Sequence, residues 1–365
     1  MNHRYPFYIR STVILFGLIL LIYSLVNLHA ILVPLAFAIL IAILLNPLTN
    51  LFQKWQLPKV AAICLSLLIG FIIIGLVAYF IMMELSTFSD QLPVFKKKFE
   101  MLLQNSQHDI SRQFGISLKK QNQLMADAET SLKPVLGATV GSFLETLSMI
   151  ILLPVYTFLF LFYKTLLLDF LYEIFSRENA KEVSVVLVQT KSAIQNYMYG
   201  LLLEALIVAA LDSVALMILG VEYAILLGVL GALLNVLPFI GGILSVALPV
   251  LVATITKDGF QTQIWVILSY MLIQFVDNHF LVPYIVSSRV KINALISIII
   301  VLMGGALWGV SGMFLSIPII GVLKIIFDHI DELNPWGKLF GTEIPTRHKG
   351  QIWMRFRKEK SGNAR

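Results

Sequence analysis

Residues 231–254 read GALLNVLPFIGGILSVALPVLVAT, an apolar run interrupted in its middle by Asn235, Pro238, Gly241 and Gly242. Proline lacks a backbone donor and blocks the preceding turn, and glycine adopts backbone angles that other residues avoid, so one continuous helix is not expected. Each apolar flank is about 15 residues, short of the roughly 20 that cross hydrocarbon. The pattern predicts two half-helices meeting at a tight turn, a re-entrant hairpin. Two full spans over 222–256 are the other reading the residues allow. An unpaired N–H or C=O in a bilayer costs several kcal/mol, so such a break survives only where protein buries it or water reaches it, and it marks a pathway. Asn235, Pro238, Gly241 and Gly242 are therefore the first candidate transport residues.

The rest of the chain has the same character. Of its 365 residues, 58% are hydrophobic and 13% charged, against about a quarter charged in a soluble domain. The expected fold is all-α, a polytopic transmembrane helical bundle of about eight spans plus the broken-helix hairpin, with a small helical cap outside the cytoplasm. The single cysteine, Cys64, rules out a disulfide framework and any Cys-based metal site. The net charge is +6, but its lysines and arginines collect beside apolar segments, where they set topology rather than bind nucleic acid. No small-residue cleavage site follows the first apolar run, so that run is expected to remain as a span.

Outward from the centre, residues 1–83 form an N-terminal unit with apolar runs at 11–28, 30–49 and 60–83. Arg4, Arg10, Lys54 and Lys59 put the N-terminus and the second turn in the cytoplasm. Residues 84–145 are the sizeable water-facing piece. Leu85, Phe88, Leu92, Phe95, Phe99 and Leu102, and then Leu124, Ala128, Leu132 and Leu136, recur at helical spacing and predict the cap. The lysines at 96–98 are a solvated helix face or a gatherer of anionic solutes and headgroups. Residues 146–197 hold a span over 146–163, containing Pro154, and two charged interfacial helices over 165–196, parted at Ser176.

The core, 198–332, carries most of the polar residues placed at membrane depth. Glu204 and Asp212 interrupt the span 198–219, and carboxyls there are functional candidates because their burial is costly. A structural hydrogen bond to a neighbouring helix is the competing reading for each. Eight residues separate them by about 12 Å along a helix and about 80° around it, so one can face a cavity while the other does not. Residues 262–276 run inward to Gln274, Asp277, Asn278 and His279. Three consecutive helical residues diverge, so 277–279 do not ligate one ion together; they are expected to end the helix and line an inner vestibule. No metal and no cofactor is expected. Gly305 and Gly309 have the small-xxx-small spacing that brings helices close, and with it a homo-oligomer. Residues 293–309 run out, the chain turns over 309–312, and 313–330 return. The tail, 333–365, concentrates Arg347, Lys349, Arg355, Arg357, Lys358 and Lys360 with Trp353 and Phe356, a composition suited to anionic membrane lipid on the cytoplasmic side. Both termini are therefore expected inside.

The segment GVEYAILLGVLGALLNVLPFIGGILSVALPVLVA (220–253) resembles the signature of the autoinducer-2 exporter family of bacterial membrane proteins. That signature carries a (V/I)PYIG-like turn with a nearby Asn; here Phe239 stands where Tyr is more frequent, which removes a hydroxyl. Asn46-Pro47 resembles a recurrent Asp-Pro element, and ILLPVYTFLFLFYK (151–164) resembles the family's P(V/I)xxFFLLKD. The C-terminal core matches at 278–283, 290–293, Gly304, Gly305, Gly309, Gly312, Pro318 and Lys324. Tyr199-Gly200-Leu201 departs from the family's RGQ, so no role of that Arg or Gln carries over, and Glu204 is a candidate replacement.

The resemblance implies a secondary transporter or channel-like exporter of small polar solutes, autoinducer-2-like signalling molecules, across the bacterial cytoplasmic membrane. It also implies cation/proton exchange, as attributed to some members. Two alternatives stand beside export: a sodium(cation)/proton antiporter built on an intramembrane carboxylate, and an envelope scaffold that binds a partner through the cap. No GxxxxGK[ST], HExxH or nucleophile set beside a base occurs, so neither an ATP-driven pump nor a hydrolase is expected.

Overall fold

The computed structural model describes residues 6–114, 117, 119–123, 152–175, 180–237, 241–257, 259–286 and 292–342. Every regular element among them is helical. Six of these helices are long and apolar enough to cross a membrane, or seven if a pair bent by 62° counts as one span. The expected eight is thus not reached by length and composition among the described residues.

Helix α1 (Phe7–Asn27) and helix α2 (His29–Lys54) are joined through Leu28. Pro47 lies inside α2 and has no N–H to give, which leaves the carbonyl four residues back without its helical donor. Helix α6 (Ala180–Ile218) makes good the loss: Gln195 Nε2 donates to Ile43 O at 2.7 Å, and the Tyr199 hydroxyl donates to Leu44 O at 3.0 Å. A kink in one helix thereby fixes the register of the helix that carries Glu204 and Asp212.

Helix α3 (Lys59–Phe114) is 56 residues long, roughly 84 Å at 1.5 Å per residue, so it runs far beyond a bilayer. The sequence reading placed the span and the first cap helix apart; they are one rod, because no glycine or loop intervenes and Pro93 is accommodated within it. Phe88 and Phe95 meet the ring of Tyr223 at 5.3 and 6.2 Å, bracing the rod against the loop after α6. The cap region 124–145 lies outside the described residues.

Helices α4 (Leu152–Phe162) and α5 (Lys164–Ile174) form the pair bent by 62°. The second interfacial helix expected before residue 196 is not separate but the first half of α6, where no proline interrupts the ladder. Ser176 lies outside the described residues.

Helices α7 (Ala224–Asn235) and α8 (Gly241–Thr256) are the two halves of the broken stretch. They pack side by side: a Cβ on Gly241 would stand 2.1 Å from Leu234 O, and one on Gly231 would stand 3.4 Å from Ser245 Cβ. Residues equidistant from the turn face each other, which makes the pair an antiparallel hairpin. Helix α9 (Gln261–Val276) continues without a break as a π-helix over Asp277–Val286. The helix end expected at 277–279 is therefore absent: the chain widens its turn there instead, in a stretch that contains Pro283.

Helix α10 (Ala294–His329) folds back on itself at Trp308 and Gly309, whose backbone angles are non-helical. Ser316 Oγ donates to Ile300 O at 3.0 Å, and a Cβ on Gly304 would stand 2.5 Å from Gly312 O, so the legs 294–308 and 310–329 are antiparallel. Trp308 Nε1 donates to Leu25 O at 2.9 Å and pins this second hairpin's tip to α1. The sequence reading gave the packing role to Gly305 and Gly309. Within the chain Gly309 instead makes the turn, at φ 59°, with open space around it, while Gly305 lies against Met313 and the close approach belongs to Gly304 and Gly312. Asn293 caps the N-terminus of α10 by accepting from Ile296 N, and its amide donates to Leu339 O and Gly341 O at the end of helix α11 (Asn334–Phe340). The basic tail from 343 lies outside the described residues.

Candidate functional site

The end of α7, the start of the π-helix and the middle of α6 meet at one carboxyl. Asp277 is 2% exposed. Its Oδ2 accepts from Asn235 Nδ2 at 2.9 Å and from Gln274 Nε2 at 3.4 Å. The Glu204 carboxyl, buried on α6, lies beside the Asp277 carboxyl. Carboxylate oxygens only accept, so two carboxyls set side by side bond to each other only when one of them carries a proton. Glu204 Oε2 and Asp277 Oδ1 are buried without a hydrogen-bond partner in the protein.

A second polar spot lies two turns farther along α6. Asp212 is 2% exposed and its Oδ1 has no partner, nor has the hydroxyl of buried Tyr270. Gly231 leaves the room between them: a Cβ there would stand 3.2 Å from Asp212 Oδ2, 3.4 Å from Ser245 Cβ and 3.6 Å from the Tyr270 hydroxyl. Among the described residues no Lys, Arg or His forms an ion pair with any of the three carboxyls.

Of the residues singled out in the sequence, Glu204, Asp212, Asn235, Gln274 and Asp277 converge. Gly241 and Gly242 allow the convergence. A Cβ on Gly242 would stand 2.8 Å from Gln274 Oε1, so the glycine lets the Gln274 amide lie over the hairpin's start. Asn278 does not join them; its side chain is exposed. Pro238 lies outside the described residues. The 80° offset that separates Glu204 from Asp212 on α6 did not divide them, because the π-helix and the hairpin wrap enough of the helix to bury both. Sequence reasoning missed Tyr270, Ser245 and Gly231. Tyr270 was findable: it lies two helical turns before Asp277 and one before Gln274, hence on their face.

The family model for AI-2E family transporters matches residues 12–332. The chain belongs to the AI-2E transporter family. This AI-2E family member is similar to the AI-2 transport protein TqsA of Escherichia coli (strain K12), with 25% identity over 320 residues, 87% of this chain and 91% of that one. It is also similar to the protein named "Putative transport protein YrrI" of Bacillus subtilis (strain 168), with 24% identity over 306 residues, 81% of this chain and 86% of the relative. The AI-2E member is thus a multi-pass helical membrane protein of a transporter family, and membership points away from catalysis.

Proposed function

We propose that this AI-2E family member is a proton-coupled secondary transporter that exports small polar solutes, autoinducer-2-like signalling molecules among them, across the bacterial cytoplasmic membrane. The observation that carries the coupling is the side-by-side burial of the Glu204 and Asp277 carboxyls, with Asn235 at the end of the first half-helix bonded to Asp277; in this reading the two carboxyls share one proton. With the proton present, the pair is held and Asn235 stays docked on Asp277. Loss of the proton leaves two like charges; at 4 Å and an effective dielectric of 20 they repel by about 4 kcal/mol. That is about a thousandfold in a two-state equilibrium. The docked hairpin is the element set against that repulsion, and the ends of its half-helices present backbone dipoles to a solute. The name of the relative TqsA supports the solute class.

In this reading the hairpin 224–256 is re-entrant, both termini are cytoplasmic, the chain works as a homo-oligomer, and the basic tail rests on anionic lipid. A second reading, cation/proton antiport, is favoured by the free Asp212 Oδ1 and Tyr270 hydroxyl near Ser245. These are oxygen ligands of the type hard cations take. An envelope scaffold has no use for a buried carboxyl pair.

Purified protein in liposomes tests both. Interior pH and sodium are followed under imposed gradients for wild type, Glu204→Gln, Asp277→Asn and Asp212→Asn. Proton flux lost in the first two variants supports proton coupling, and sodium-dependent flux lost in Asp212→Asn supports the antiporter. Proton flux that is the same in wild type and in Glu204→Gln and Asp277→Asn defeats the proposal.

A further inference from the structure

A second polar junction, unrelated to the carboxyl cluster, lies where α4 bends into α5. Lys164 opens α5, and its Nζ donates to Asn46 Oδ1 on α2 at 2.9 Å. Asn46 is 5% exposed, and its Nδ2 is buried without a partner. Lys59, the first residue of α3, holds its ammonium 5.2 Å above the Phe162 ring, next to the bend. Lys59 and Lys191 of α6 are the two cations whose charge acts on Lys164. Four parts of the bundle therefore deliver three ammonium groups and an amide donor to one place. Among the described residues no carboxylate lies within ion-pair distance of any of the three lysines.

Every group gathered there gives hydrogen bonds or positive charge, and apart from the Asn46 oxygen that Lys164 already uses, nothing accepts. Like charges held together by the fold destabilise it unless an anion sits between them. Lys59 and Lys191 are exposed and Lys164 is partly so, which leaves the junction open from one side. Three mobile point charges with a buried amide suit a tetrahedral group with several acceptor oxygens better than a planar carboxylate, which a guanidinium would grip in register. Lys191 lies 13 residues before Glu204 on α6, about 20 Å along the axis, so the junction sits one membrane leaflet away from the carboxyl pair.

We propose that Lys59, Lys164, Lys191 and Asn46 form a binding site for a phosphate-type anion. Its source is either the headgroup of an anionic lipid or a free phosphate in solution. Full-length protein in uncharged detergent is titrated with dioleoylphosphatidylglycerol, with dioleoylphosphatidylcholine as control, and separately with inorganic phosphate. Thermal unfolding and the anionic lipid retained in native mass spectra are read for wild type, Lys59→Gln, Lys164→Gln, Lys191→Gln and Asn46→Asp. Wild type is expected to be stabilised by at least one probe, with binding weakened about fivefold per lysine removed. Asn46→Asp supplies a counter-charge from within, so it is expected to fold as wild type yet lose the response. A response to phosphatidylglycerol alone assigns the headgroup; a response to phosphate assigns the free anion. No response of wild type to either probe overturns the site. So does a response that persists unchanged in the lysine and Asn46→Asp variants, since it then belongs to another surface such as the tail.

Discussion

Gly241→Ala is the perturbation that best separates the hairpin's geometry from its composition. The added methyl would meet Leu234 O at 2.1 Å, Asn235 Cα at 2.6 Å and Leu234 C at 2.8 Å. All three are backbone atoms, so no rotamer change relieves the contact, and the two half-helices must part. Overpacking of this kind costs about 1–3 kcal/mol. The displaced atoms include Asn235, whose side chain holds Asp277 at 2.9 Å; hydrogen bonds to charged groups contribute about 1.5–3 kcal/mol. Because one movement causes both losses they are not summed, and a shift of about 3 kcal/mol toward an undocked tip is expected, roughly a hundredfold in the docked population. Chemical denaturation in micelles reports the stability, and proton uptake by proteoliposomes reports the coupling. Gly75→Ala is the control: nothing lies within 4 Å of its added Cβ, so that change is expected to be neutral or to stabilise α3 by about 0.5–1 kcal/mol. Stability and proton uptake in Gly241→Ala that match those of Gly75→Ala would refute the reasoning.

Three further outcomes follow from contacts elsewhere. Gln195→Ala leaves Ile43 O without its replacement donor at the Pro47 kink, and a loss of about 1–3 kcal/mol is expected in micelle denaturation. Gly312→Ala drives a methyl into the Gly304 carbonyl and is expected to cost at least as much as Gly309→Ala, whose φ of 59° and ψ of −141° make an alanine there cost about 1–3 kcal/mol by strain alone. Asn293→Ala removes the α10 cap and both side-chain bonds to the end of α11; about 1 kcal/mol of stability is lost and amide exchange rises at 334–340.

The sequence shows where the helix breaks but not what the break touches. Asn235, Gly241 and Gly242 announce themselves because proline and paired glycine inside an apolar run have few explanations. Glu204 and Asp212 stand out by the cost of their burial alone. That Glu204 finds Asp277 depends on how α9 and the π-helix lie against α6, and no local pattern encodes that crossing. The widened turn at Asp277 hid for a related reason: a polar run before Pro283 reads as a helix end, whereas the chain keeps its helix by loosening it. Within the hairpin the fold-back at Trp308 sets the two legs antiparallel, which brings Gly304 against Gly312, a pairing that the four-residue interval of Gly305 and Gly309 does not encode.

The shared proton is the claim on which coupling rests, and infrared difference spectroscopy of the reconstituted protein at neutral pH reads it directly, as the C=O stretch of a protonated carboxyl and its shift in heavy water. Gln at 204 or Asn at 277 donates an amide proton to the remaining carboxylate, so that carboxylate no longer needs a proton of its own. A protonated-carboxyl band present in wild type and lost in both Glu204→Gln and Asp277→Asn is the result the account predicts. A band absent from wild type, or one of undiminished intensity in both variants, would contradict it.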